Sequence, residues 1–250
     1  MSLSPSVEAI VARLAARNIR WERTRERIEA ALASQQPGRG PERHIGPYVT
    51  VAREHGSGGG ELAARVGAAL GWPVLDREII DLVAAHLHVN PSMFNLLEHD
   101  AAGWVTDVLG DLMPHVVITR DTYTHELRRV VQLLAVHGEV VLLGRGAGFF
   151  LPHECGLSVR VVAASEDRIA RVRTRTGKDR DGALAEIKDA DRARAHLVSH
   201  AFGCDIADPL YYDLVVNTSR YPIPKLAELI AGACRARCTS EPAPAAYPSS

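Results

Sequence analysis

The sequence predicts an α/β fold, a three-layer sandwich in which helices cover both faces of a five-stranded, mainly parallel sheet. From residue 48 onward, short β-branched runs alternate with segments of helical periodicity. The first of these runs leads into a glycine-rich loop and then a helix, as phosphate-binding folds do. The chain has 250 residues, of which 46% are hydrophobic, and this is ample for one such core. An N-terminal helical appendage precedes the sheet.

The predicted elements follow that alternation along the chain. Strands are expected near 47–52, 72–75, 139–143, 158–163 and 212–216. Helices are expected near 59–70, 76–88, 101–112, 120–137, 165–176, 182–201 and 223–237.

Composition divides the chain into three parts. Residues 1–46 combine helical spacing with the proline- and glycine-rich stretch SQQPGRGPERHIGP, which is typical of a linker. We expect this appendage to pack on the main domain or to act as a dimerisation element, so a homodimer is one expectation. Residues 47–238 are the predicted α/β domain, and 239–250 a disordered tail.

Charge and cysteine usage limit the classes of function. The formal net charge of −1 argues against binding to nucleic acid or to an anionic membrane surface. No apolar run reaches membrane-spanning length. The four cysteines are scattered and follow no disulfide or metal-binding framework, which favours a cytoplasmic protein.

The segment YVTVAREHGSGGGELAARVGAALG, residues 48–71, predicts a buried strand, a glycine loop and a helix. Glycine backbone N–H groups and a helix N-terminus together suit an anion. Against the pattern G-x-x-x-x-G-K-[ST], only Gly58 matches; the lysine is missing, and Glu61 stands near the hydroxyl position. A turn that binds no ligand is the alternative, but four glycines in five positions are entropically costly to order without a reason.

A dinucleotide fingerprint is the rival interpretation of this loop. Gly58, Gly60 and Ala63 satisfy G-x-G-x-x-A, and Asp76 follows where a ribose-binding acid would stand. However, three residues separate the strand from the first glycine, and this longer loop favours the wrapping of a single phosphate group. A dinucleotide-dependent oxidoreductase therefore remains a minor hypothesis.

Three segments decide between these interpretations: VTVAREHGSGGGELAARVGAALGWPVLDREII, VVLLGRGAGFFL and ADPLYYDLVVNTSRYPIPKLAELI. Together they resemble the cytidylate kinase-like family, a lysine-poor branch of the nucleoside monophosphate kinases within the P-loop superfamily. The resemblance implies ATP-dependent phosphoryl transfer to a nucleoside monophosphate, with ATP and Mg²⁺ as cofactors and nucleotides as its small-molecule partners. A nucleotide-binding regulatory module with little catalysis is the alternative, because the loop lysine is absent.

The resemblance and the chemistry of phosphate recognition indicate which residues would bind the acceptor and which would belong to the lid over the donor phosphates. Arg145 follows a predicted strand, and the matching Gly-Arg element of the family grips the acceptor phosphate. Asp76 and Arg77 are expected to bind the acceptor, with Asp76 also a metal ligand or simply a helix N-cap. Arg192 and Arg194 are the lid candidates for catalysis, within an arginine-rich segment that could equally be a solvated helix pair.

The donor phosphates are expected on the glycine loop. Arg53 or Arg192 is expected to replace the lysine in catalysis. Arg53 is favoured because it leaves the first strand beside this loop, and this role requires its side chain to point into the loop. Asn217 follows the last strand, where it would border the donor base or cap the next helix. The expected cofactor-binding residues of the loop are Gly56, Ser57, Gly58, Gly59, Gly60 and Glu61.

One further pattern has metal-ligand spacing. His196, His200 and Cys204 recur every four residues on a predicted helix face. Gly203 is expected to end that helix, and no fourth ligand is evident, so we expect no metal there.

Overall fold

The structure of the protein, a computed structural model, describes residues 45–87, 120–153 and 156–239. Within these residues one sheet has the strand order β2-β3-β1-β4-β5, and every pairing is parallel. The predicted α/β class and parallel sheet are confirmed. The strands are β1 (Tyr48–Arg53), β2 (Val74–Leu75), β3 (Val140–Leu143), β4 (Gly156–Val162) and β5 (Leu214–Asn217).

Seven helices accompany the sheet within the described ranges. Three have the predicted bounds, whereas the four-residue α4 was not predicted, because one turn is too short to show a period. The predicted helix at 101–112, the N-terminal helices and the C-terminal tail lie outside the described residues. The helices are α1 (Gly59–Leu70), α2 (Arg77–Leu87), α3 (Arg120–His137), α4 (Ala147–Phe150), α5 (Ser165–Thr176), α6 (Arg180–Phe202) and α7 (Ile223–Thr239).

Alternation along β1 assigns its side chains to two different layers. Val49 and Val51 face α1 and α7, and they form one hydrophobic core with Leu62 of α1 and Ile230 of α7. Thr50 faces the opposite side, where α4 covers the sheet: a Cβ added at Gly148 would lie 2.9 Å from the Thr50 hydroxyl. The sheet is therefore covered on both faces, as the prediction required.

Helix ends are set by residues in the left-handed conformation. Gly71 ends α1 with its N–H bonded to the carbonyl of Gly67, and Gly177 ends α5 in the same way on Arg173. Asp179 begins α6, where its side chain accepts a hydrogen bond from the N–H of Gly182. These caps explain why α5 and α6 are separated by only three residues.

The parallel strands bring their carboxyl ends to a single edge of the sheet. Arg53 ends β1, Gly144 follows β3, Asp76 follows β2 and Thr218 follows β5. Ligands of such sheets bind outside this edge. Every helix within the described residues is too short or too polar to span a lipid bilayer.

Candidate functional site

The glycine loop has the backbone geometry of an anion cradle. Gly56 and Gly58 have φ values of 78° and 80°, and Gly58 is the N-cap of α1 without any side-chain capping hydrogen bond. The helix ladder starts at the N–H of Leu62, which donates to the carbonyl of Gly58. The preceding N–H groups of the first turn are thus oriented for an external acceptor, together with the positive end of the helix dipole.

The individual loop residues differ in what they offer a ligand. The hydroxyl and the N–H of Ser57 both donate to the carbonyl of Glu54, so its expected contact with phosphate would have to break a bond within the loop. Gly60 borders open space, and a Cβ added there would meet no atom within 4 Å. Glu61 is exposed and forms an ion pair with Arg65 at 2.9 Å, which offsets its negative charge.

Three arginines meet at the edge beside this loop. Nη2 of Arg53 donates to both carboxylate oxygens of Asp76 at 3.0 Å. Nη1 of Arg194 donates to the carbonyl of Arg53 at 3.2 Å. Burial, together with the charges of Arg53 and Arg145, lowers the pKa of Arg194 to about 10. The positive charges of the three guanidiniums therefore act on the same region, which favours the binding of an anion between them.

Arg145 occupies an unusual backbone position. Its φ is 57°, and it lies between Gly144 at 80° and Gly146 at 64°. A non-glycine residue rarely adopts the left-handed region, and such strain is concentrated at functional sites. A side chain at Gly144 would overlap the guanidinium of Arg53, so only glycine lets the two elements lie this close.

A cavity of about 220 Å³ opens between the ends of β1 and β3 and helix α6. Arg53, Arg145 and Arg194 form its charged wall. Phe149 and the hydroxyl-bearing Tyr212 line a more apolar part. An occupant with an anionic end and an uncharged body fits this arrangement.

Of the two lid candidates, only one reaches the cavity. Arg192 is 75% exposed and pairs with Asp189 within α6, whereas Arg194 lines the cavity wall. Residues two apart on a helix point in nearly opposite directions, so both could not face the same site. The expected catalytic role of Arg192 thus finds no support in its position. The side chain of Arg77 lies outside the described part of the structure.

Several basic side chains of the arginine-rich segment form ion pairs. Arg168 bonds to Glu54 and Asp191, and Arg175 and Lys178 bond to Glu186. Arg168 connects α5 to the glycine loop and to α6, whereas the two bonds to Glu186 connect α5 and the turn after it to α6. The alternative of a solvated helix pair holds only for more distant members such as Arg180, which pairs with the exposed Glu166.

His55, Glu186 and Asp191 were missed by sequence reasoning. Nε2 of His55 lies 2.9 Å from the carboxylate of Glu186, and its backbone N–H donates to Asp191 at 2.7 Å. Burial is the largest cause of the lowered pKa of His55. More than 130 residues separate His55 from either partner, and no local pattern indicates such a contact.

Asn217 closes the turn after β5. Its side-chain oxygen accepts from the N–H of Ser219 at 2.9 Å, and its carbonyl accepts from Arg220 and Tyr221. This is an Asx-type turn, so the side chain neither caps α7 nor extends freely toward a base. The expectation of a helix cap is wrong, because the turn uses that oxygen first.

The described residues assemble no metal site of their own. They contain no group of three or more His, Cys, Asp or Glu side chains placed to hold an ion. The rings of His196 and His200 stack at 6.0 Å, and no metal cluster forms with Cys204. The carboxylate of Asp76, which is expected to hold Mg²⁺, forms an ion pair with Arg53 at 3.0 Å.

Comparison with known proteins gives this geometry a context. A model described as the cytidylate kinase-like family matches residues 48–220. The chain belongs to that family. A cytidylate kinase from Methanothermobacter thermautotrophicus is 31% identical over 94 residues, covering 38% of this chain and 57% of that relative. The alignment thus spans little more than half of the curated relative.

One solved structure shares the fold at low identity, and a second is similar over the same share of the chain. A protein from Eubacterium ventriosum is 17% identical with a TM-score of 0.56, covering 75% of this chain and 98% of its own. A shikimate kinase from Bacteroides thetaiotaomicron is 16% identical with a TM-score of 0.44, at the same coverage. Membership of the cytidylate kinase-like family supports a nucleotide kinase-type function.

Proposed function

We propose that this protein is an ATP-dependent phosphotransferase whose acceptor is a nucleoside monophosphate. The observation that carries the proposal is the convergence of Arg53, Arg145 and Arg194 on one cavity beside the glycine loop. Guanidiniums grip phosphate oxygens in pairs and stay charged at every physiological pH. Such a cluster, next to the N–H groups of the first turn of α1, matches what two nucleotides need when their phosphates meet end to end.

The chemistry requires positioning and charge rather than a base. An oxygen of the acceptor phosphate would attack the γ-phosphorus of ATP, and the bond to the bridging oxygen would break, releasing ADP with that electron pair. The acceptor phosphate is already an anion, so no side chain must remove a proton first. Mg²⁺ would enter on the ATP phosphates, because magnesium is commonly held by phosphates and water with few protein ligands.

Different residues of the site would contact the donor phosphates, the acceptor phosphate and the transferred group. The first turn of α1 and the glycines before it would hold the donor phosphates. Arg145 would bind the acceptor phosphate, since its loop follows β3 and its backbone strain suits a precise placement. Arg194 would neutralise the transferred group, and its burial strengthens that interaction by excluding water.

Arg53 lies on the acceptor side of the loop rather than inside its concavity. Its side chain runs past Gly59, where an added Cβ would lie 2.6 Å from Cβ of Arg53, and it ends on Asp76. This placement supports a role for Arg53 toward the acceptor or the transferred phosphoryl group. It does not support the expectation that Arg53 is a direct substitute for the missing lysine.

A second candidate function is a nucleotide-binding module without turnover. The observation that favours it is the commitment of Arg53 to Asp76, which leaves the site with fewer uncompensated cations. ATP binding without ADP formation would distinguish this candidate.

The test is ADP formation from ATP and magnesium with a panel of nucleoside monophosphates. We expect turnover with at least one acceptor above the protein-free rate, and its loss in Arg145→Ala. Arg173→Ala is the matched control, because that arginine is exposed on α5 away from the cavity. ATP binding without turnover for any acceptor would reject the kinase in favour of the binding module.

A further inference from the structure

Three successive carbonyl oxygens of the glycine loop are each held from outside the loop. The carbonyl of His55 accepts from Nε of Arg168 at 2.7 Å. The carbonyl of Gly56 accepts from Nη1 of Arg171 at 3.3 Å. The carbonyl of Ser57 accepts from Oγ1 of Thr218 at 2.6 Å. All three donors lie behind the loop, on α5 or after β5.

These donors are themselves fixed in place. Nη1 of Arg171 also donates to Oγ1 of Thr218 at 3.0 Å, and its Nη2 donates to the Thr218 carbonyl at 3.2 Å. Arg168 is held by the carboxylates of Glu54 and Asp191, and its side chain is 11% exposed. Thr218 is buried as well. Each donor is therefore ordered before any ligand arrives.

Close packing leaves the loop no room to rotate toward these donors. A Cβ at Gly56 would lie 2.8 Å from the carbonyl of Arg168. A Cβ at Gly58 would lie 2.9 Å from Cδ1 of Ile223 and 3.8 Å from Nη1 of Arg171. The glycines thus permit the loop to lie directly against α5 and the start of α7.

The position of a carbonyl decides where the next N–H points. A trans peptide is planar, so its C=O and N–H point in opposite directions. With the carbonyls of His55 and Ser57 held at the back, the N–H groups of Gly56 and Gly58 must face the other way. That side is the concave one, ahead of the first turn of α1. The N–H of Ser57, which lies between them, donates to the carbonyl of Glu54, so the N–H groups of Gly56 and Gly58 are the two that this segment offers to an anion.

We infer that Arg171 and Thr218, with Arg168, are positioning residues that preform the phosphate-binding loop by holding its carbonyl oxygens away from the anion. They act through the backbone and do not themselves touch the nucleotide. The loop lacks a lysine to order it against phosphate, and this rigid support behind it supplies the order instead. The inference rests on the proposed function in that the anion is taken to be a nucleotide phosphate.

The experiment measures binding of ADP and of inorganic pyrophosphate by calorimetry, alongside the KM for ATP. In Thr218→Val, which keeps the side-chain volume but loses the hydroxyl, we expect both dissociation constants to rise about tenfold. Thr218→Ser should restore them, because the hydroxyl returns. Arg171→Lys keeps the charge but cannot bridge Gly56 and Thr218, so it should resemble Thr218→Val. The KM for ATP should rise by the same factor, with a smaller change in kcat.

Two matched controls lie on the exposed side of α5. Thr174→Val removes a hydroxyl that bonds only within the helix, and Arg173→Lys repeats the other substitution at an exposed arginine. Both should leave the dissociation constants unchanged. Circular dichroism at the assay temperature identifies variants that lose their fold, and the remaining variants then decide the question.

The outcomes separate the inference from the proposed function. Unchanged affinity for ADP and pyrophosphate in folded Thr218→Val and Arg171→Lys would overturn the inference. Failure of Thr218→Ser to restore affinity would also overturn it, because the hydroxyl would then not be the cause. Binding by the unaltered chain without turnover would overturn only the kinase assignment. No binding of either probe by the unaltered chain would overturn both.

Discussion

Arg53 and Asp76 meet through a single nitrogen: both carboxylate oxygens of Asp76 lie 3.0 Å from Nη2 of Arg53. Arg53 ends β1 and Asp76 follows β2, although β3 separates these strands in the sheet. The guanidinium bridges that gap by passing over Gly144 at the end of β3. The pair therefore joins three strand ends beneath the cavity.

Removal of this guanidinium should slow phosphoryl transfer strongly. In Arg53→Ala we expect kcat to fall by about a hundredfold or more, in the range found for other charge-stabilising donors. Arg65→Ala is the control, because that arginine pairs with Glu61 on the exposed face of α1. ADP release with the best acceptor is the measurement. Full activity of Arg53→Ala would show that the pair is structural only.

Gly144 and Gly203 separate backbone strain from steric overlap. Both have positive φ, 80° and 67°, so alanine should cost about 1 kcal/mol of unfolding free energy at either site. At Gly203 nothing lies within 4 Å of the new Cβ, whereas at Gly144 it would overlap Nη1 of Arg53. We therefore expect Gly144→Ala to be more destabilising and to lose activity. Urea unfolding of both variants checks this, and equal stability losses would contradict it.

Adjacent glycines of α1 should respond oppositely to alanine. A Cβ at Gly59 would lie 2.6 Å from Cβ of Arg53, and such overpacking should destabilise the fold by about 1 to 3 kcal/mol. A Cβ at Gly60 meets no atom within 4 Å, so Gly60→Ala should be neutral or stabilising by up to about 1 kcal/mol. Thermal unfolding of the two variants is the measurement. A destabilised Gly60→Ala would mean that α1 is placed differently.

Stability should fall in two stages on acidification. Hydrogen bonding to Lys178 is the main cause that lowers the pKa of Glu186 to about 2, so its contribution is present above about 4.5 and lost as the pH falls towards 2. Burial lowers the pKa of His55 below about 6.5, and protonation of this residue favours the unfolded state. The contribution of neutral His55 to the free energy of unfolding is therefore complete above about pH 6.5 and declines below that pH.

Glu186→Gln isolates the acid stage of this profile. It should remove on the order of 1 kcal/mol of unfolding free energy at neutral pH and flatten the decline below about pH 4.5. Glu228→Gln is the control, because its pair with Lys225 is exposed on α7. Urea unfolding across the pH range gives the comparison. An unchanged profile in Glu186→Gln would show that this network does not hold the loop to α5 and α6.

The C-terminal end of a helix was predictable where a glycine follows its last residue. Gly71 ends α1 and Gly177 ends α5, each with a positive φ that suits glycine. Helix α4 has no such periodic signal in four residues, so only the structure reveals it. Similarly, β2 is two residues shorter than predicted, because Trp72 and Pro73 precede the paired segment.

The clustering of Arg53, Asp76 and Arg145 was predictable in outline. Each follows or ends a predicted parallel strand, and the carboxyl ends of such strands meet at one edge. The choice between Arg192 and Arg194 was not predictable, because it depends on how α6 is rotated against the sheet. The roles of Arg53, Arg145 and Arg194 in phosphoryl transfer are predictions, and the Arg53 and Arg145 variants described above test two of them.

The fold class, the order of the strands and of the longer helices, and the glycine loop at the end of β1 all follow from the amino-acid sequence. These depend on periodicity, glycine and capping signals, all of which act between near neighbours. The pairing of charges depends on the packed fold: Arg53 pairs with Asp76, Arg168 with Asp191, and His55 with Glu186. An ion pair needs two atoms within a few ångströms, and for residues far apart in the chain that proximity exists only after the sheet and helices have packed.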